Sequence, residues 1–272
     1  VSADGYVVIT HDVDTFRIFG EKHNINETNY FGVLNQLLTL DTPRSKIPLF
    51  EDLLNWCVEV NDNLEISDRK IKLMLDIKSN NDPAQLYNLI WKEFELVKGI
   101  DYWRDKIIFG IWRSDFYIPE KLNNFKIVNI TFDVYAAKKF YDEIKQIDEN
   151  AKLHAISVIN LHLYRKNDSL TMIKWLDDNK IKLWYWTINN YLELQRAKEL
   201  ATLPNGELLL EGIITDDPIG VLDESVSKKV FNWKYNLKWW IKTNIYSVFL
   251  FFFRRGYNLK PFFILMKKIG FI

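Results

Sequence analysis

Residues 71–78 read Ile-Lys-Leu-Met-Leu-Asp-Ile-Lys (IKLMLDIK), and the alternation inside them decides how the rest of the chain is read. Successive side chains on a strand point to opposite faces, so Met74, Asp76 and Lys78 share one face while Leu73, Leu75 and Ile77 share the other. A carboxylate and an ammonium two residues apart on an otherwise apolar strand suit a face that lines a polar pocket. They suit equally well an ion pair at the mouth of a barrel. Similar short runs occur at 6–10 (YVVIT), 107–112 (IIFGIW), 126–131 (KIVNIT), 153–158 (LHAISV), 181–187 (IKLWYWT) and 212–215 (GIIT). All are rich in Ile, Val and aromatics and bounded by turn residues, which predicts strands. Between them, 49–60, 84–98, 134–147, 168–179 and 190–201 have helical spacing. In the second of these Leu86, Leu89, Ile90, Phe94 and Val97 recur three or four apart, an apolar face. Asp82-Pro83 predicts a helix start, and Asp168 and Ser169 predict an N-cap ahead of Leu170. Strand and helix in alternation imply a parallel sheet with helices outside, either a barrel or an open doubly wound sheet. The glycines are scattered and form no phosphate loop, so a dinucleotide fold has no support.

Parallel α/β folds place their sites at the carboxyl ends of strands. Three such ends carry chemistry: His11-Asp12 after 6–10, Asp76 to Lys78, and Trp184 and Trp186 just ahead of Thr187 and Asn189. A lone histidine there also serves as a cap, and strand tryptophans also serve as core. His23, His154 and His162 have no partner at metal-ligand spacing and read as structural or exposed. Asn26-Glu27-Thr28 and Asn129-Ile130-Thr131 fit the glycosylation pattern, the second within an expected buried strand.

The 272 residues hold 36 Lys+Arg and 36 Asp+Glu. That balance conceals two unlike parts: residues 228–272 carry ten basic and no acidic residues, leaving residues 1–227 at −10. This excludes a uniformly basic nucleic-acid binder, and no nucleic-acid partner is expected. A composition 48% hydrophobic and 15% aromatic excludes a disordered chain. One cysteine, Cys57, excludes an internal disulfide and favours a reducing compartment.

Taken in order, Asp4-Gly5 through VVITHD (7–12), IPLFEDLL (47–54), LMLDIK (73–78), LWYWTINN (183–190) and GIITDDP (212–218) resemble the glycerophosphodiester phosphodiesterase family. The match covers roughly residues 3–220. The MLDIK form, with Asp where most of the family has Glu, and the apolar C-terminal tail look like the fungal phosphatidylglycerol phospholipase C branch. The resemblance implies an α/β TIM barrel of the phospholipase C-like phosphodiesterase type over 1–225. It implies a phosphoric diester hydrolase that cuts a glycerophospholipid, phosphatidylglycerol, into diacylglycerol and a phosphorylated head group. On this pattern His11 matches a catalytic histidine, Asp76 a metal-binding acid, Lys78 a lysine near the phosphate, and Trp186 an aromatic at the substrate mouth. The implied cofactor is a divalent ion, Mg²⁺ or Ca²⁺, which hard carboxylate oxygens suit. Such an ion and a lysine stabilise charge on the phosphoryl oxygens, while histidines move the protons. Family members begin with strands carrying His-Arg-Gly and Glu-x-Asp segments. Against that pattern a chain starting at Val1 is expected to lack roughly the first two barrel strands, one catalytic histidine and most metal ligands. As written, it is expected to be inactive or nearly so.

Lys234, Lys238 and Lys242 are spaced by four, with Trp233, Leu237, Trp240, Ile241 and Ile245 available to the opposite side of a helix. The apolar run 245–253 is too short to span a bilayer. Residues 226–272 therefore read as a basic, aromatic tail lying in the membrane interface, with 228–272 binding an anionic surface. The branch resemblance places that surface on the endoplasmic reticulum, a lipid droplet or a mitochondrion. Two other readings stay open: a catalytically dead, membrane-bound pseudoenzyme or scaffold, and a soluble glycerophosphodiesterase.

Overall fold

The structure is a computed structural model, and it describes residues 1–63, 70–164 and 166–223, with isolated positions beyond. Contacts divide the chain into two compact units: Val1–Ile127 with Ile147–Lys152, and Val128–Gln146 with Leu153–Ile272. The basic aromatic tail over 226–272 lies outside the described residues apart from isolated positions.

The first unit holds two parallel strands, β1 (Leu73–Ile77) and β2 (Ile107–Ile111), in register with Asp76 opposite Gly110 and Ile77 opposite Ile111. Its helices are α1 (Phe16–Phe19), α2 (Phe50–Asn63), α3 (Pro83–Leu96), α4 (Ile100–Trp103) and α5 (Pro119–Leu122). Helix α3 starts where expected: Asp82 accepts a hydrogen bond from the Gln85 amide at 2.7 Å, and Pro83 fills the first turn, where no N–H is needed. Its buried face is Leu86, Tyr87, Ile90 and Phe94. Phe94 stacks on Trp103 at 5.8 Å between ring centroids and on Phe125 at 6.2 Å, in a layer that also takes in Phe50, Trp91 and Phe109. Burying rings of this size is the main source of stability here.

A second, smaller core lies under the long connection from residue 12 to 49. It is built from Phe19, Ile25, Tyr30, Leu34, Leu37 and Ile47, with Val8, Ile18 and Leu49 packed against it. Asp4 fastens it, its carboxylate accepting from the amides of Tyr30 at 2.7 Å and Phe31 at 3.2 Å. Residues 6–10, expected as a strand, make only one antiparallel bridge, Val8 to Leu49. The physical reason lies in the partner segment: Pro48 has no N–H to donate, and Phe50 already opens α2, so the pairing cannot extend.

Four further parallel strands pair in chain order, β3 (Lys126–Thr131), β4 (Ala155–Ile159), β5 (Lys182–Trp186) and β6 (Leu210–Ile214), and all but the first two residues of β3 lie in the second unit. Between and after them run α6 (Val134–Ile147), α7 (Lys166–Asp178), α8 (Tyr191–Ala201) and α9 (Pro218–Leu222). On α6 the buried residues Val134, Ala137, Phe140 and Ile144 fall three and four apart, one apolar stripe. Asn190 caps α8 through the Glu193 amide at 3.0 Å, and Asp217 caps α9 through Gly220 at 2.8 Å. The cap expected at Asp168 and Ser169 is different: α7 already begins at Lys166, and the buried Ser169 hydroxyl instead donates to the His162 carbonyl. Gly212 has a steric purpose, since a Cβ there would stand 3.0 Å from the Trp184 ring. The strand–helix repeat with parallel pairing is the α/β architecture expected from the sequence.

Candidate active site

His11 stands at the end of the 6–10 segment with its side chain 72% exposed. Its Nδ1 is 2.8 Å from Asp12 Oδ1, and Asp12 Oδ2 accepts from Arg17 Nε at 2.6 Å. A carboxylate can only accept, so Nδ1 carries a proton, and in the neutral form of the ring the lone pair is then on Nε2. The hydrogen bond from Arg17 holds the Asp12 carboxyl below its ordinary range against the opposing effect of burial, and His11 adds to the lowering. Arg17 sits on α1, so the small core beneath 12–49 fixes this chain of three polar groups.

Asp76 and Lys78 lie on the same face of β1 and its extension. Lys78 Nζ donates to Asp76 Oδ2 at 2.6 Å, and the Trp112 indole Nε1 donates to Asp76 Oδ1 at 2.8 Å. Leu75 and Ile77 are buried on the opposite face while Asp76 is exposed, which is the alternation read from IKLMLDIK. A cavity of about 320 Å³ opens against these residues. Thr10, His11, Asp76, Lys78 and Asn81 contribute polar groups to its lining, and Phe50, Leu53, Met74, Leu86 and Ile90 apolar ones. The Thr10 hydroxyl oxygen is buried there without a hydrogen-bond partner.

His11, Asp76 and Lys78, picked out separately in the sequence, therefore line one cavity of the first unit. Trp186 belongs to the second unit. There its indole N–H donates to the Ser157 carbonyl at 3.0 Å and its ring meets Phe132 edge-on at 5.4 Å. Nearby, Asn189 accepts from the Thr215 hydroxyl and the Asp216 amide. Of the remaining histidines, His154 pairs with Glu211 at 2.6 Å and His162 is fully buried, which fits structural roles. Asn129 is buried in β3, where the folded protein has no room for a glycan.

The donor set does not by itself fit a divalent ion. Among the described residues no group of three His, Cys, Asp or Glu could hold a metal. Asp76, the one carboxylate among the cavity's lining residues, has a hydrogen-bond donor aimed at each oxygen. A cation would have to displace both.

Sequence reasoning passed over Arg17 and Trp112 and gave Asp12 no role of its own. Trp112 was within reach, since it closes the 107–112 run at a strand's carboxyl end. Arg17 was not, because nothing in its spacing shows that the chain after His11 turns back on itself.

The profile of the glycerophosphoryl diester phosphodiesterase family matches residues 1–219. The chain belongs to that family of phosphodiesterases. Solved structures agree in fold. A glycerophosphodiester phosphodiesterase from Thermotoga maritima is 20% identical, with a TM-score of 0.52 over 80% of this chain and 78% of its own. A protein of Silicibacter pomeroyi assigned to the same activity is 14% identical, with a TM-score of 0.58 over 81% of this chain and 79% of its own. One from Galdieria sulphuraria is also 14% identical, with a TM-score of 0.57 over 81% and 80%. No described helix is long and apolar enough to cross a membrane.

Proposed function

We propose that the substrate is a glycerophospholipid, phosphatidylglycerol, cut in the phospholipase C manner. The observation that carries this is the two-sided cavity. A histidine and a lysine line it together with apolar side chains, as an amphiphilic phosphodiester requires. A water oxygen bonds to phosphorus as the bond between phosphorus and the diacylglycerol oxygen breaks, the water gives up a proton, and the leaving oxygen takes one. In this reading His11 Nε2 carries the proton for that step, and Lys78 meets the phosphoryl oxygens. The MLDIK form of β1 supports the phosphatidylglycerol branch. The +10 charge and aromatic content of 228–272 support attachment to an anionic leaflet, on the endoplasmic reticulum, a lipid droplet or a mitochondrion.

The reading includes slow turnover. Both Asp76 oxygens are engaged by protein donors, so the Mg²⁺ or Ca²⁺ of the family has only a contested ligand in this arrangement. The same observation favours a second reading, a membrane-bound pseudoenzyme. Diacylglycerol release from phosphatidylglycerol liposomes, with and without divalent ions, separates the two. Slow release that His11→Ala abolishes supports the enzyme. Flotation with liposomes but no release supports the pseudoenzyme. Release without flotation, or flotation unchanged on removing 228–272, rejects the tail as the membrane contact.

A further inference from the structure

We propose that Trp112 is a positioning residue for the Lys78 ammonium and acts through Asp76. The inference rests on the phosphate-binding role proposed for Lys78.

The carboxylate of Asp76 has two oxygens and two donors, one to each: Trp112 Nε1 at 2.8 Å on Oδ1 and Lys78 Nζ at 2.6 Å on Oδ2. The Asp76 side chain is 37% exposed and that of Lys78 26%, so packing alone does not fix either. A half-exposed carboxylate rotates freely about its last bond unless something holds one oxygen. The indole N–H does so, because it is a donor only and sits on a stiff bicyclic ring. With Oδ1 taken, Oδ2 is left facing Lys78. That contact is charge-assisted and holds the flexible lysine stem toward the cavity it lines with His11.

The strand geometry explains how Trp112 reaches across. Asp76 is registered opposite Gly110, which has no side chain, so no side chain stands directly across from the carboxylate. Residue 112 lies on the same face as 110, one position beyond the last registered pair, Ile77 and Ile111. Its ring therefore leans into room left by the glycine. Phenylalanine at 112 would fill that room and offer no N–H.

The test uses the 272-residue chain, inorganic phosphate as probe, and EDTA throughout. Phosphate affinity is measured for wild type, Trp112→Phe, Asp76→Ala, the double variant and Lys78→Met, alongside melting temperatures. Indole N–H signals are followed by ¹⁵N NMR. Trp112→Phe is expected to weaken phosphate binding about threefold to tenfold with an unchanged melting temperature. Whatever Asp76→Ala does alone, adding Trp112→Phe should change nothing further, because the route through residue 76 is already gone. Asp76→Ala should also move one indole signal, the one missing from Trp112→Phe. Additive effects of the two substitutions, an unmoved indole signal or an unaltered affinity in Trp112→Phe each overturn the positioning role. If wild type binds no phosphate, or Lys78→Met binds it as well as wild type does, the role of Lys78 falls and the positioning role falls with it. Loss of binding in Lys78→Met with additive Trp112 and Asp76 effects rejects the positioning role alone.

Discussion

The Nδ1 of His11 lies 2.8 Å from Oδ1 of its chain neighbour Asp12. From α1, Arg17 reaches back to the far oxygen of the same carboxylate, at 2.6 Å. The imidazole of a largely exposed histidine is thereby fixed in tautomer and orientation by groups that are themselves fixed.

Asp12→Asn should expose the value of that arrangement. The new amide can present an N–H to Nδ1, which selects the wrong tautomer and takes the lone pair away from Nε2. Hydrolysis of a phosphodiester is expected to fall roughly 10- to 100-fold, a part of what general acid–base catalysis supplies. The sign of the pH effect follows from the Asp12 carboxyl, held below its ordinary 3.8 chiefly by Arg17. Its contribution to stability is complete above that value and disappears as pH falls through the lower folded one. Thermal melts of wild type and Asp12→Asn should therefore converge in strong acid. An Asp12→Asn protein with the wild-type rate would remove Asp12 from the site.

A second pH dependence has the opposite sense. Glu93, on α3, is pushed up from 4.5 to about 7, first by burial and then by Glu51, with Asp52 adding to the effect and Lys92 opposing it. Its Oε2 is buried without a hydrogen-bond partner. A carboxyl whose folded value is raised gives its full support below 4.5 and loses it as pH climbs to about 7. Glu93→Gln cannot ionise. It should match wild type near pH 4.5 and exceed it by about 1–2 kcal/mol at pH 8, a figure already reduced for partial solvent screening. Parallel stability curves for the two proteins across that range would show that Glu93 keeps its ordinary titration.

How far the sequence could be read follows from what kind of signal each feature leaves. Helix α6 was legible to its ends, because Val134 to Ile144 repeat with helical spacing and no other element disturbs them. The face carrying Asp76 and Lys78 was legible because a strand alternates strictly. The cap of α7 was not, since Ser169 answers to the His162 carbonyl, a contact that depends on the turn between them. Residues 6–10 look like a strand by composition, yet strand formation also needs a partner, and theirs ends at Pro48 and Phe50. The site shows the same division. The ends of strand-like runs disclosed His11, Asp76 and Lys78, while the donors that orient them, Arg17 and Trp112, come from other elements. Only folding makes them neighbours.

The placement of β1 itself depends on one buried amide. Asn61, near the end of α2, is fully buried. Its Nδ2 donates to the Ile71 carbonyl at 3.0 Å, and its Oδ1 accepts from the Ile71 amide at 2.7 Å, two residues before β1 begins. The side chain thus does for residue 71 what a neighbouring strand would do, and it sets where the strand carrying Asp76 and Lys78 starts. Asn61→Leu keeps the volume and removes both partners. Each orphaned backbone group then costs about 1–3 kcal/mol, so the urea midpoint should drop well below wild type. The defect should reach the site as well. With the entry to β1 loosened, Asp76 no longer meets Trp112 in one fixed geometry, and the indole signal assigned to Trp112 should broaden under conditions where the protein is still folded. A sharp, unshifted signal in a destabilised Asn61→Leu protein would mean that the β1 and β2 pairing alone holds the strand in place.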